Sequence, residues 1–356
     1  MQLGILGLPK AGKTTLFNTL TASQAATDKF TTSDKTHIGV AKVPDPRLAT
    51  MRDLFQPRKF TPATIEYVDI PGIQRGESHE SLDLAKLKTV DALVHVVRAF
   101  EDPEIPHADG AVNPARDVEN VDLELVLADH TLVERRLDRL KQSSKRGMNP
   151  EEEREKRLLE EVILPALERE TPLRDVALPA EDEKRLRGFQ FLSAKPMLVV
   201  LNVEEKDVAL ADVGRFALKL GSAARAIVVS APIEQEISRL DPAEQQAFLA
   251  DLGLAEPSLD RLVRASYELL GYLSFFTVGE DEVRAWTIRR GTPAVEAAGT
   301  IHSDIQRGFI RAEVVFWEDL ARLKTLAACR DQGLLRLEGK EYVMRDGDVA
   351  HFRFNV

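Results

Sequence analysis

Gly7-Leu8-Pro9-Lys10-Ala11-Gly12-Lys13-Thr14 spells G-x-x-x-x-G-K-[ST]. The short apolar run Gln2–Leu6 before it reads as a buried strand. Residues 13–20 after it lack Gly and Pro and read as the start of a helix. Strand, glycine-bearing loop and helix in that order make a phosphate cradle. Glycine lets the backbone curl so that successive N–H groups face one anion, and the helix N-terminus adds its positive dipole end. The pattern assigns Lys10, Ala11, Gly12, Lys13, Thr14 and Thr15 to nucleotide binding, with Lys13 on the outer phosphates and the Thr14 hydroxyl on Mg2+.

The chain has 356 residues, enough for two or three domains. A hydrophobic content of 44% with 30% charged residues describes a globular protein with ample core material. A net charge of -10 excludes a chain-wide electrostatic grip on nucleic acid but leaves room for a local basic patch. The single cysteine, Cys329, allows no intramolecular disulfide and suits a reducing compartment. The start of the chain reads as a strand rather than a leader, and no apolar run approaches the roughly 20 residues of a membrane span. A cytoplasmic protein with no membrane contact is expected.

The first stretch of about 120 residues reads as α/β, with strands expected at 2–6, 63–69 and 92–97. From 121 to 146 there is no Gly or Pro, and Val126, Val133, Leu137 and Leu140 recur at helical spacing. Asn149-Pro150-Glu151-Glu152-Glu153 then opens a second helix with a cap, a proline at its first position and acids in its first turn. Leu159, Val162, Ile163 and Ala166 line one face of it, so the two helices make an antiparallel hairpin. Strand patterns return at 197–201 and 226–229, so the hairpin is an insertion. After Tyr272 the chain turns β-rich. The expected domains are a nucleotide-binding domain (1–120 and 189–272), a helical arm (121–188) and a small α+β domain (273–356).

Asp69-Ile70-Pro71-Gly72 is D-x-x-G at the end of an apolar strand. In switch-type hydrolases such an Asp supports Mg2+ and the Gly N–H meets the γ-phosphate, which assigns Asp69 to the metal and Gly72 to the nucleotide. Asn202-Val203-Glu204-Glu205 follows strand 197–201, where a switch GTPase carries N-K-x-D to read guanine. Here the Lys is Val203 and the Asp is Glu205, whose longer side chain would crowd the guanine 2-amino edge, whereas Asn202 can still pair with adenine. ATP is therefore expected to bind better than GTP. Ser230-Ala231, after strand 226–229, matches the S-A element that packs under the base.

The chain resembles the YchF or Obg-like ATPase family nearly end to end. The resemblance rests on residues 7–18, Val43-Pro44-Asp45-Pro46-Arg47-Leu48, Tyr67-Val68-Asp69, His95-Val96-Val97-Arg98-Ala99-Phe100-Glu101-Asp102 and the N-x-x-E motif. It continues through Glu282-Val283-Arg284-Ala285-Trp286-Thr287, residues 308–314 and residues 346–356. It implies a P-loop NTPase domain with an inserted helical hairpin and a C-terminal ubiquitin-like (β-grasp) TGS domain. It also implies an ATP-preferring, Mg2+-using hydrolase that associates with the ribosome.

Where Ras-like switches place a water-orienting Gln after D-x-x-G, this chain has Ile73, which cannot position water. The resemblance points instead to His107, in the loop after the F-E-D run, and an imidazole there could orient or deprotonate water. Lys10 stands where the family usually has Asn, from which little or no potassium stimulation is expected. The family's glycine-rich segment after D-x-x-G is replaced by Gln74-Arg75-Gly76-Glu77-Ser78-His79-Glu80-Ser81. Thr32 and Ser33 both fit the switch hydroxyl that completes the Mg2+ shell. Arg284, Arg289, Arg290, Arg307 and Arg311 either mark an RNA-facing surface of the C-terminal domain or are ordinary surface charge. Two alternatives stay open: a translation-factor-type GTPase, and a binding protein that holds ATP as a structural ligand.

Overall fold

The computed structural model describes residues 2–22, 37–70, 82–107, 110–144, 147–209, 212–221 and 224–355. The chain divides into two compact units: Met1–Val40 with Glu66–Leu262, and Ala41–Ile65 with Val263–Val356. In chain order the described strands are β1 (Gln2–Leu6), β2 (His37–Lys42), β3 (Lys59–Thr61), β4 (Thr64–Asp69), β5 (Ala92–Ala99), β6 (Met197–Val203) and β7 (Ala224–Val229). They continue with β8 (Tyr272–Thr277), β9 (Glu282–Arg289), β10 (Phe309–Phe316), β11 (Arg336–Glu338) and β12 (Asp348–Phe354).

The first sheet has the order β2-β4-β1-β5-β6-β7 among the described residues. β1 runs parallel to β4 and β5, and β6 runs parallel to β5 and β7. Parallel pairing requires crossovers, which the helices supply, and it buries the central strands on both faces. That is why β6 reads Met-Leu-Val-Val-Leu-Asn-Val with every residue buried. Sites in such sheets form beyond the carboxyl ends of the strands, where the β1, β4 and β6 ends deliver the phosphate loop, Asp69 and Asn202.

The inserted arm starts with a helix over Pro114–Ser144, earlier than the expected 121, because Asn113 caps it by accepting from Arg116 N at 3.1 Å and Pro114 opens its first turn. The return helix Pro150–Leu158 carries a capping box, with Glu152 N donating to Asn149 Oδ1 at 2.9 Å and Asn149 N to Glu152 Oε2 at 3.1 Å. It continues through a π-helical turn, Leu159–Ile163, into Leu164–Glu168. Val126, Val133, Leu137 and Leu140 bury against Leu159, Ile163 and Ala166, as their spacing predicts. Arg136 clamps Glu155 with two hydrogen bonds, of 2.6 and 3.0 Å. At the base of the arm, buried Asp129 accepts from Leu192 N, Ser193 N and Ser193 Oγ at 2.7–2.9 Å.

The second unit holds a sheet of order β11-β10-β12-β8-β9-β3 among the described residues. β8 and β9 form an antiparallel hairpin, β12 lies parallel to β8, and β10 runs antiparallel to β12. Helix Ala294–Ile301 packs its alanines on Phe275, Phe309 and Phe352, giving a β-grasp arrangement. Phe275 and Phe352 meet edge to face with centroids 5.9 Å apart. Residues 41–65, expected with the nucleotide domain, supply edge strand β3, which pairs parallel to β9. Arg47, from the same segment, bonds Asp346 through both terminal nitrogens and lies over Phe276 at 5.3 Å.

Candidate nucleotide site

The loop after β1 has a conformation that only particular residues allow. Gly7 has φ +146°, and a Cβ there would stand 2.2 Å from Val96 O. Gly12 has φ +95°, and a Cβ there would stand 2.3 Å from Asn202 Nδ2. Lys10 itself adopts φ 63°, in the left-handed region. Gly12 is the N-cap of helix Lys13–Thr21, and no side chain among the described residues caps that terminus, so an anion can use its N–H groups.

Lys13 is 8% exposed, and its ammonium donates to Gly7 O at 3.1 Å and Leu8 O at 2.9 Å. Burial lowers its pKa to about 8, with Asp69 opposing the shift and Lys10 adding to it. The Thr14 hydroxyl donates to Asp69 Oδ2 at 3.0 Å. Asp69 Oδ1 is buried with no hydrogen-bond partner among the described residues. Burial raises the Asp69 pKa against the hydrogen bond from Thr14 and the charge of Lys13. His95 lies beneath the loop on β5, 3.5 Å through Cδ2 from the Cβ position of Gly7. Burial, with Arg174 and Lys13, pushes its pKa down to about 3, so the ring is neutral.

Asn202, 3% exposed, donates from Nδ2 to Ala11 O and accepts at Oδ1 from Ala231 N, both at 3.0 Å. It clamps the phosphate loop to the N-terminus of the helix that follows β7, Ala231–Ile237, a use of its carboxamide that the N-x-x-E spacing did not reveal. Ala11, Ser230, Ala231 and Val203 are buried around this clamp, whereas Glu205 is exposed at the start of a short helix. Glu204 Oε1 accepts from Glu101 N at 3.4 Å, and its other oxygen pairs with Lys206. Thr15 is the third residue of the helix, and its carbonyl accepts from Thr19 Oγ1 at 2.9 Å. Thr32, Ser33, Gly72 and Ile73 lie outside the described residues.

His107 is held by the start of the arm helix. Its Nε2 lies 2.9 Å from Asp117 Oδ2 and its Nδ1 3.3 Å from Arg116 Nη2. The sequence reading missed these two partners; the run Asn113-Pro114-Ala115-Arg116-Asp117, with its cap and proline, marks only a helix start. In the second unit Arg284 stacks on Trp286 at 3.8 Å, Arg289 lies over Tyr272, Arg307 pairs with Asp304, and exposed Arg311 sits opposite exposed Arg353.

A glycine-bearing loop between a parallel strand and a helix, a buried lysine curled into it and a Thr–Asp pair at its mouth define a P-loop nucleoside triphosphatase of the switch class. Residues 2–203 match the family model of the 50S ribosome-binding GTPases. Residues 272–355 match that of the YchF GTPase C-terminal domain, a protein of unknown function. The chain is 44% identical over 369 residues to the ribosome-binding ATPase YchF of Bacillus subtilis, with all of both chains covered. It is 41% identical over 365 residues to the ribosome-binding ATPase YchF of Escherichia coli O157:H7, covering 100% of this chain and 99% of that one. The Schizosaccharomyces pombe YchF GTPase structure superposes with a TM-score of 0.85 at 30% identity, covering 99% of this chain and 97% of that one. The chain belongs to the YchF family.

Proposed function

We propose that this protein is a magnesium-dependent ATP hydrolase of slow intrinsic turnover that acts as a nucleotide switch on the ribosome. The carrying observation is the pairing of a buried, phosphate-loop Lys13 with the Thr14–Asp69 couple. Thr14 and Asp69 fit Mg2+: both offer oxygen, and Asp69 Oδ1 is buried without a partner among the described residues. When bound, the metal would neutralise charge on the phosphate oxygens. Lys13 contributes a second cation, and the uncapped N–H groups of its helix orient the phosphates. His107 is the residue we assign to orienting the attacking water.

ATP preference is supported by what stands in place of a guanine reader. Val203 is 1% exposed and cannot cover a base as a lysine stem would, and Glu205 projects into solvent. Asn202 then serves the base by holding Ala11 and Ala231 in place. The names of the relatives support the ribosome as partner, and the cytoplasm as location follows from that. Arg311 and Arg353, adjacent and exposed, support an RNA contact by the C-terminal unit. Lys10, close enough to depress the Lys13 pKa, supports little response to potassium.

Single-turnover hydrolysis of ATP and GTP, with and without 70S ribosomes, tests this reading. Faster turnover of ATP on ribosomes is expected. A GTP preference would support the rival suggested by the GTPase name of the S. pombe protein. Binding without hydrolysis under both conditions would make ATP a structural ligand.

A further inference from the structure

We infer that Arg116 and Asp117 form a latch that stores His107 away from the attacking water, so that hydrolysis requires its release. This rests on the assignment of His107 above. Arginine can only donate hydrogen bonds and an ionised aspartate can only accept them. The Asp117 contact at 2.9 Å therefore fixes a proton on Nε2, and Arg116 Nη2, 3.3 Å from Nδ1, covers the lone pair of Nδ1 with a hydrogen it shares with its shorter bonds to Asp117 Oδ1 and Ala111 O. A neutral imidazole bonded in this way has no acceptor left for a water proton. The His107 and Asp117 side chains are only 5% and 2% exposed, so water does not reach the pair from outside.

The latch is itself braced. Arg116 donates from Nε and Nη2 to Asp117 Oδ1 at 3.1 and 2.9 Å, and from Nη2 to Ala111 O at 2.8 Å. Asp117 N is tied to Asn113 O at 3.0 Å. Both residues stand in the first turn of Pro114–Ser144, the helix that continues without a break into the arm. A displacement of the arm helix is thus coupled to the freedom of His107. Arg116 and Asp117 are positioning residues, and the latch explains slow turnover without any change in nucleotide affinity.

The test compares the full-length wild-type protein with Arg116→Met, Asp117→Asn, His107→Ala and the double variant Arg116→Met/His107→Ala. Two quantities are read: ribosome-free single-turnover ATP hydrolysis, and the rate at which diethyl pyrocarbonate modifies His107, followed by mass spectrometry. Replacing Arg116 strips two hydrogen bonds from the buried Asp117 carboxylate, so thermal melting of each variant is read beside the rates to confirm that it is folded. The latch predicts that Arg116→Met and Asp117→Asn each speed His107 modification. It predicts that Arg116→Met raises hydrolysis about tenfold, or 1.4 kcal/mol of barrier, and that the gain vanishes in the double variant. General loosening of the fold would leave the gain in place. Unchanged or slower hydrolysis in Arg116→Met overturns the latch, as does a gain that survives His107→Ala. If His107→Ala alone hydrolyses ATP at the wild-type rate, the assignment of His107 fails, and the modification rates then judge the hydrogen-bond lock separately.

Discussion

The Thr14 hydroxyl donates to one oxygen of Asp69 at 3.0 Å, and the other oxygen of that carboxylate is buried without a hydrogen-bond partner among the described residues. A fold optimised for stability alone would not keep a half-satisfied carboxylate there. Because burial raises the Asp69 pKa above its unfolded value, the ionised form costs stability above the folded pKa, and that cost is relieved as pH falls through it. Asp69→Asn should therefore stabilise the metal-free protein at pH 7, by about 1 to 3 kcal/mol. The same variant should lose the thermal stabilisation that Mg2+ with ATP confers. Calorimetric melting with and without both ligands checks the two signs; a less stable metal-free variant contradicts the account.

Lys13 links nucleotide binding to protons. Its folded pKa of about 8 lies below its unfolded value of 10.5. Its ammonium therefore costs stability in full below pH 8, and the cost fades as pH rises from about 8 towards 10.5. A bound triphosphate favours the charged form and returns the pKa upward. Binding at pH 8 should take up about half a proton. Titration calorimetry in buffers of different ionisation enthalpy reads this directly, and a buffer-independent heat would refute it.

Gly12 and Asn202 should behave as a coupled pair. Gly12→Ala places a methyl 2.3 Å from Asn202 Nδ2 on a backbone of φ +95°, so both clash and strain act. Asn202→Ala removes two buried hydrogen bonds, costing about 2 to 4 kcal/mol. The double variant should be more stable than the sum of the single effects, since the clash is gone while the strain remains. Chemical denaturation of all four proteins measures the coupling; strict additivity would remove it.

Much of this site was legible in the sequence because its chemistry is local. The strand, loop and helix over residues 2–21 are contiguous, and Asp69 ends an apolar run. The arm declared itself through the spacing of Val126, Val133 and Leu137 and through the Asn149–Glu152 box. What stayed hidden depends on contacts distant in sequence. Asn202 lies 191 residues from Ala11, and nothing in N-x-x-E says that its amide bridges the phosphate loop and a helix N-terminus. β3 is three residues long and pairs with β9 over 200 residues away, below any periodicity signal. Arg116 and Asp117 look like ordinary helix-start charges until His107 is placed against them.

The arm should be able to open by itself. Its core is a separate cluster around Val133, Leu159 and Ile163. Leu159→Ala, at a fully buried position, should cost about 2 to 5 kcal/mol. Amide exchange should accelerate in 126–168 while β1, β5 and β6, with Val118, Val121 and Leu125 packed on them, keep their protection. Equal loss of protection in the sheet would show that arm and sheet open together.

Equilibrium binding of ATP and GTP to the purified protein, with Mg2+ and with chelator, alongside Lys13→Ala, tests the central claim most directly. The account predicts Mg2+-dependent binding in which ATP outcompetes GTP by about tenfold or more, roughly 1.4 kcal/mol. It predicts that binding is lost in Lys13→Ala and weakened sharply without the metal. Metal-independent binding that survives Lys13→Ala, or a preference for GTP, would contradict it.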